Sequence, residues 1–397
     1  MRATRIVAAM IALAFASLAI GNAAGSTGQK QAGNNIVIGF AVGETGFIQP
    51  YDIPGVNSWK LVINAQNKKR GLLGKKITTT MADTKSDINQ GTIAGQEVLS
   101  KGANMMVVTC DYNYGGAAAR VANAHKIVVF SICAGDPHFG RQGIGPYAFT
   151  DNYATPTEGA AVAEFIHSKG WRHPYLLLDT SVDYDKSLCG YMEDRWKMYG
   201  LKLAGKDTFT NTDTSIATQV SRLKSTAGVD SVFVCSYPPG GATAVKQLRN
   251  SGVNLPIVGG DAFDGTFWLK GIPSLNNFYS PVAASIHGDD PRPAVNQYVK
   301  DYKKLTGTTP VNAFAVWAYE GAQVFMAAVE KAKSLDSDKI VKVLETTPSF
   351  NTIAGPFKFT HNNHFNNSGT VTILQYKNGQ AHFLKLVKPT KLPPVKY

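Results

Sequence analysis

The sequence predicts an α/β protein with two doubly wound open parallel sheets. Short apolar runs alternate with helical patterns along most of the 397 residues, and the alternation restarts near the middle. The composition, 44% hydrophobic and 17% charged residues, is that of a chain that folds around real cores.

The first half opens with the buried run NIVIGF, Asn35 to Phe40, followed by a helix carried by Val56, Trp59, Val62 and Ile63 at helical spacing. KITTTMAD is the next strand, and a helix from about Ile88 to Ser100 is stopped by Lys101-Gly102. NMMVVTC and KIVVFSIC are buried strands separated by a small-residue helix that starts at Gly115-Gly116. Strands buried on both faces and joined by helical crossovers are the mark of a parallel sheet. YAFTDN then leads into Thr155-Pro156-Thr157-Glu158, which reads as a capping box with proline at the first helical position.

The pattern restarts with YLLLDT, KDTFT, DSVFVC and LPIVGGD as strands. Helices are expected near Leu188 to Tyr199, Ile216 to Thr226 and Ala242 to Asn250. Eight consecutive parallel strands in one layer are unusual, so a second sheet is expected; a closed (β/α)8 barrel is the topological rival. Pro291 to Leu305, Phe314 to Ala332 and Asp338 to Glu345 read as helices. TVTILQYKNGQAHFLKL reads as a closing hairpin turned at Asn378-Gly379.

Arg2 and Arg5, the apolar run Ile6 to Ile20 and the small residues Gly21, Ala23 and Ala24 read as a secretory signal, residues 1–24. No cysteine stands near that site to carry a lipid, and no later segment reads as a membrane span: Phe314 to Val329 is interrupted by Glu320. The expectation is a periplasmic protein. The formal charge of +12 falls by two, to +10, once Arg2 and Arg5 leave. The remaining cations are dispersed, many at helix ends as in Lys68-Lys69-Arg70-Gly71, where they complement the dipole beside a left-handed glycine cap. That dispersion and the export signal argue against nucleic acid as a partner. Four cysteines in an exported chain allow two bridges. If bridges form, Cys110 with Cys133 and Cys189 with Cys235 keep each one local; four buried free thiols are the alternative.

The chemistry is that of a holder. No phosphate-binding loop, H-E-x-x-H or G-x-S-x-G pattern is present, so no enzyme activity and no cofactor are expected. His361-Asn362-Asn363-His364 sits in an Asn-rich loop, and a solvated turn is the expectation there, not a metal. Predicted strand ends instead present Tyr51, Asp111, Tyr112, Asn113, Tyr114, Asp136 and His138 from the first half. Asp183, Tyr184, Tyr237 and Asp261 come from the second. Tyrosine offers an apolar face and one polar tip, which suits a small amphiphilic ligand.

The ordered set of segments resembles the periplasmic solute-binding proteins of ABC importers, the leucine/isoleucine/valine-binding type. IVIGFAVGETGFIQPYDIPGVNSWKLVINAQN, ARVANAHKIVVFSICA, LLLDTSVDYDKSLCGYMEDRWKMYGLKLAG, VDSVFVCSYPPGGATAVKQLRNSGVNLPIVGGD and AGPFKFTHNNHFN carry it. The resemblance implies two α/β lobes joined by three hinge crossings, near Phe149 to Asn152, Ser280 to Ala284 and Phe350 to Phe357, with a ligand cleft between them. Lobe 1 would be 34–149 plus 284–349, and lobe 2 150–283 plus 350–390. It implies a monomer that delivers a small polar organic ligand, an amino acid or a related amide or aromatic compound, to the membrane subunits of an ABC importer. The expected ligand-binding positions are Tyr51, Tyr112, Asn113, Cys133, Gly135, Asp136, Tyr184, Tyr237 and Asp261. A ligand-sensing receptor of the same fold and an exported α/β enzyme are the alternatives.

One departure stands out. Amino-acid-binding members grip the carboxylate with Ser or Thr hydroxyls, whereas here the loops read Cys110-Asp111-Tyr112-Asn113 and Cys133-Ala134-Gly135-Asp136. A carboxylate would have to rely on Asn113, tyrosine hydroxyls and backbone N–H groups at the helix start. Asp261 matches the position that pairs with an ammonium. An amide, a polyol or an aromatic compound remains open.

Overall fold

The computed structural model describes residues 35–367 and 369–397. The signal read at 1–24 lies outside them. Five parallel strands make the first sheet: β1 (Asn35–Val42), β2 (Lys76–Asp83), β3 (Met105–Val108), β4 (Val129–Ser131) and β5 (Ala148–Thr150). Their spatial order is β2-β1-β3-β4-β5, with α1 (Gln49–Lys68), α2 (Gln90–Ser100) and α3 (Tyr112–Ala124) as crossovers. β3 is buried along its whole length, which is why its run is uniformly apolar.

The second sheet has seven strands. Its parallel part comprises β6 (Pro174–Asp179), β7 (Gly205–Phe209), β8 (Ser231–Cys235), β9 (Ile257–Gly259) and β10 (Phe278–Val282). α4 (Ala154–Ser168), α5 (Asp183–Lys197), α6 (Ala217–Ser225) and α7 (Gly240–Asn250) accompany them. After the helices α8 (Pro293–Thr306), α9 (Phe314–Ala332) and α10 (Ser337–Thr346) comes a two-stranded ribbon, β11 (Phe350–Asn351) with β12 (Pro356–Phe357). The hairpin β13 (Val371–Lys377) and β14 (Gln380–Val387) then adds antiparallel to β10, giving the order β14-β13-β10-β9-β8-β6-β7. Asn378 and Gly379 turn that hairpin with φ of 49° and 70°, the positive values a type I′ turn needs. Two separate open sheets replace the barrel alternative. The chain leaves the first sheet after Thr150 and leaves the second after Val282, when α8 and α9 pack on α1. It rejoins the second sheet at β13.

Three local expectations are corrected. Gly115 and Gly116 do not open α3; the helix begins at Tyr112, capped by the Asp111 side chain. Gly115 is needed for another reason: a Cβ there would lie 2.5 Å from the Thr109 carbonyl oxygen. The Thr155–Glu158 capping box does not form. α4 starts at Ala154 with no side-chain cap, because Glu158 is drawn into the interior by the Tyr184 hydroxyl and the Asp261 N–H. α5 begins at Asp183, ahead of the expected Leu188, with Asp183 and Asp185 placing acids in its first turn where the dipole favours them.

Both bridges, Cys110–Cys133 and Cys189–Cys235, are formed. The first ties the ends of β3 and β4; the second ties α5 to the end of β8. Among the described residues no helix is long and apolar enough to cross a membrane, and no group of three or more His, Cys, Asp or Glu could hold a metal ion. His364 is buried instead, its ring stacked on Phe149 with centroids 3.9 Å apart.

Candidate functional site

Every parallel strand delivers its following loop to the same edge, and there the loops of both sheets meet. Asp52, in the first turn of α1, fixes one side. Its carboxylate accepts the backbone N–H of Gly43 at 2.7 Å and of Cys110 at 2.8 Å, tying the loops after β1 and β3 together. Burial raises Asp52 to about 7 against those two bonds. Across the edge, Asn211 donates to the Tyr237 carbonyl at 2.7 Å, and Asp179 accepts from both Asn211 and Ser236 at 2.8 and 2.7 Å. This fixes the loop after β8.

Between the loops lies a cavity with about 480 Å³ of non-atom space, part of it open to solvent. From the first sheet Phe47, Ile48, Tyr51, Cys110, Asp111, Tyr114, Cys133 and Gly135 line it. Val182, Tyr184, Tyr237, Asp261 and Ala262 come from the second, and Phe314 from α9. The rings fall into two groups. Tyr51 stacks on Phe314 at 5.4 Å, and Phe47 meets Tyr114 edge-on at 5.3 Å and Tyr237 at 6.1 Å. The Tyr51 hydroxyl reaches across to the Ala262 carbonyl at 3.2 Å.

The charged part of the lining is acidic. Asp111 caps α3, its Oδ1 accepting the N–H of Asn113 at 2.7 Å and of Tyr114 at 3.2 Å. Its backbone lies at φ 108° and ψ 142°, a region that costs a non-glycine residue strain of the kind found at ligand sites. Burial pushes its carboxyl up to about 7, against the two bonds that lower it. Asp261 accepts from Asn152 at 3.1 Å, and burial raises it to about 6. Its backbone N–H donates to Glu158 Oε1 at 2.7 Å, which also accepts the Tyr184 hydroxyl at 3.0 Å. Gly260 leaves room for this: a Cβ there would lie 2.5 Å from the Tyr184 oxygen. Burial drives Glu158 and Asp185 well above the carboxylate range, and Glu158 Oε2 and both Asp185 oxygens have no hydrogen-bond partner. No Lys, Arg or His lines the cavity among the described residues.

Of the nine positions expected from sequence, Tyr51, Cys133, Gly135, Tyr184, Tyr237 and Asp261 line this cavity and Tyr112, Asn113 and Asp136 do not. The Tyr112 ring turns outward against His138, 5.7 Å away, and its hydroxyl accepts from Arg120 at 2.8 Å. Asn113 spends its amide across the edge: it donates to Asp183 at 3.1 Å and accepts the Asp183 N–H at 3.0 Å. Asp136 faces a neighbouring groove and bonds His138 Nδ1 at 2.6 Å. Asp111 and Tyr114, candidates for the strand-end ring, do line the cavity. Sequence reasoning passed over Phe47, Ile48, Cys110, Val182, Ala262 and Phe314. Phe47 could have been found from the Gly43-Glu44-Thr45-Gly46 turn that places it just past β1. Phe314 carries no local signal, since it reads as one more core position of an apolar helix.

The periplasmic binding protein family model matches residues 35–381. A Leu/Ile/Val-binding protein of Rhizobium johnstonii is 23% identical over 309 residues, covering 77% of this chain and 82% of that protein. Among solved structures, a branched-chain amino acid transporter substrate-binding protein of Streptococcus pneumoniae in complex with isoleucine superposes with a TM-score of 0.78 at 22% identity. That likeness covers 89% of this chain and 100% of the other. A solute-binding protein of an ABC transporter from Rhodopseudomonas palustris, in complex with 3,4-dihydroxybenzoic acid, gives a TM-score of 0.77 at 18% identity, over 91% and 99% of the two chains. With the family model spanning both sheets, this chain belongs to the periplasmic binding protein family.

Proposed function

We propose that this protein is the exported receptor of an ABC importer, and that it captures a small polar organic ligand by closing two lobes around it. The observation that carries the reading is the make-up of the cavity wall. Loops from both sheets and a residue of α9 line one space, so the full set of contacts exists only while the two sides are apposed. Lobe 1 is then 34–149 with 284–349, and lobe 2 is 150–283 with 350–390. The hinges fall near Phe149 to Asn152, Ser280 to Ala284 and Phe350 to Phe357. Delivery to ABC membrane subunits is what the names of relatives such as the pneumococcal and Rhodopseudomonas proteins support. The protein works as a monomer in the periplasm, reached through the signal at 1–24.

The test has two stages. A thermal-shift screen over amino acids, amides, amines, polyols and aromatic acids should find a compound that raises the melting temperature, because a ligand of the folded state stabilises it by mass action. Small-angle scattering with that compound at saturation should then show compaction. An unchanged scattering profile would refute the closure mechanism, and a screen with no hit would refute the receptor reading.

A further inference from the structure

The N-terminus of a helix at a strand end is ordinarily the place where a ligand anion is held, because its first N–H groups are unpaired. In this protein that place is already taken. Asp111 turns its own carboxylate onto the start of α3 and accepts the N–H of Asn113 and Tyr114. Gly115 N–H bonds the Asp111 carbonyl at 2.9 Å. The Asn113 amide, another donor a carboxylate could use, is committed to Asp183 on the opposite side. The protein thus carries an internal anion where an acid ligand would be gripped.

The rest of the cavity points the same way. Asp261 faces it from the second sheet, so carboxylates stand on both walls with no basic side chain between them among the described residues. Behind Asp261 and Tyr184 lie the buried Glu158 and Asp185, with oxygens that have no hydrogen-bond partner. Once Asp111 and Asp261 are ionised, a ligand carboxylate entering this space would meet two like charges, whereas an ammonium would be attracted by both walls. Phe47, Tyr51, Tyr114 and Tyr237 supply ring faces that hold an organic cation or its apolar body.

Building on the receptor reading above, we infer that the ligand is an organic amine with an apolar body and no carboxylate, its ammonium held between Asp111 and Asp261. The absence of a Ser or Thr hydroxyl in the Cys110–Asn113 and Cys133–Asp136 loops fits the same account: there is no acid group for them to meet.

Two matched series test this by calorimetry at pH 7.5: 2-phenylethylamine, phenylacetate, phenylalanine and 2-phenylethanol; and isoamylamine, isovalerate, leucine and isoamyl alcohol. In at least one series the amine should bind more than tenfold more tightly than its acid, amino acid and alcohol partners. Binding of any of those partners as tight as the amine's overturns the ligand class and leaves the receptor standing. So does silence from both series while the broader screen finds a ligand; silence in that screen as well removes both readings. Asp111→Asn removes the charge but keeps a residue that caps helices equally well, with Asp111→Ser as a second capping variant. Each should weaken amine binding at least tenfold while retaining the parent's circular dichroism. Undiminished affinity in the folded variants overturns the inference.

Discussion

Acids in two regions of this molecule behave in opposite ways. Around the cavity, Asp111, Asp261, Glu158 and Asp185 are all pushed upward by burial, and among the described residues no cation lines it. At the node below β5, Glu345 is also drawn in, and burial alone would raise it. Hydrogen bonds from His364, Arg141 and His361 instead bring it down to about 2. His364 completes that node, its Nε2 3.0 Å from Glu345 and its Nδ1 2.8 Å from the Ala148 carbonyl. The node is a finished structural unit. The cavity is the same chemistry left without its positive partner, which is what a site awaiting a cation looks like.

The comparison breaks first at Asp261. If it is half of an ammonium clamp, Asp261→Asn should weaken amine binding by about 2–5 kcal/mol, because the ligand charge is left desolvated and unpaired. Calorimetry on this variant and on Asp338→Asn separates the cases. Asp338 accepts the Tyr147 hydroxyl at 2.6 Å, outside the cavity, so its loss should leave affinity at the parent level. Equal affinity in Asp261→Asn would remove the ammonium role.

The node answers through stability instead of affinity. Arg141→Ala strips a charged donor from Glu345 and should cost about 1–3 kcal/mol in urea unfolding, with ligand affinity unaffected. A cost within error would mean that the node is not a structural counterweight.

pH distinguishes the two groups by sign. Asp111 and Asp261 have folded values of about 7 and 6, above the ordinary 3.8, so their contribution to stability is complete below about pH 4 and is lost as pH rises through 6 to 7. Glu345 is depressed from 4.5 to about 2, so its contribution is present above about pH 4.5 and is lost as pH falls toward 2. The ligand-free protein should therefore melt highest at about pH 4 to 4.5 and lose stability progressively from there toward pH 7. Amine affinity should run the other way, rising between about pH 5 and 7 as the cavity acids ionise, with protons released on binding. Burial is the main cause of both values; the titratable neighbours are Asp52, Tyr114, Asp136, Asp183, Asp185 and Tyr237 for Asp111, and Tyr51, Tyr153, Glu158, Tyr184, Asp185 and Asp264 for Asp261. Calorimetry in buffers of different ionisation enthalpy reads the proton count, and an affinity independent of pH would break the clamp.

The smallest effect is at Tyr237. Its ring lines the cavity beside Phe47, and Tyr237→Phe keeps the ring while removing one hydroxyl. A loss of about 1 kcal/mol in binding is expected if that hydroxyl bonds the ligand, and none if only the ring contributes.

Much of the architecture was legible because its causes are local. Uniformly apolar MMVV is a strand buried on both faces, and Asn378-Gly379 has the backbone freedom a tight hairpin needs. The restart at YLLLDT announced a second sheet. Glu158 shows where such reading fails: three residues after Thr155 it has the spacing of a capping box, yet its carboxylate goes to Asp261 N–H and the Tyr184 hydroxyl. Those partners are distant in sequence, and two hydrogen bonds made in the interior outweigh one local cap. Asp111 is similar. Its place at a strand end was legible, but not that it would occupy the donors of α3 itself.

Periodicity, turn residues and the strand-end position of the tyrosines follow from interactions within a few residues, so the amino-acid order alone was enough to place them. Which of those residues share one cavity, and in what charge state, depends on groups more than a hundred residues apart meeting where water is excluded: Tyr51 with Ala262 and Phe314, and Asn152 with Asp261. Desolvation acts only once both sheets are folded and apposed, and only then does it turn scattered aspartates into an acidic cavity with no cation of its own.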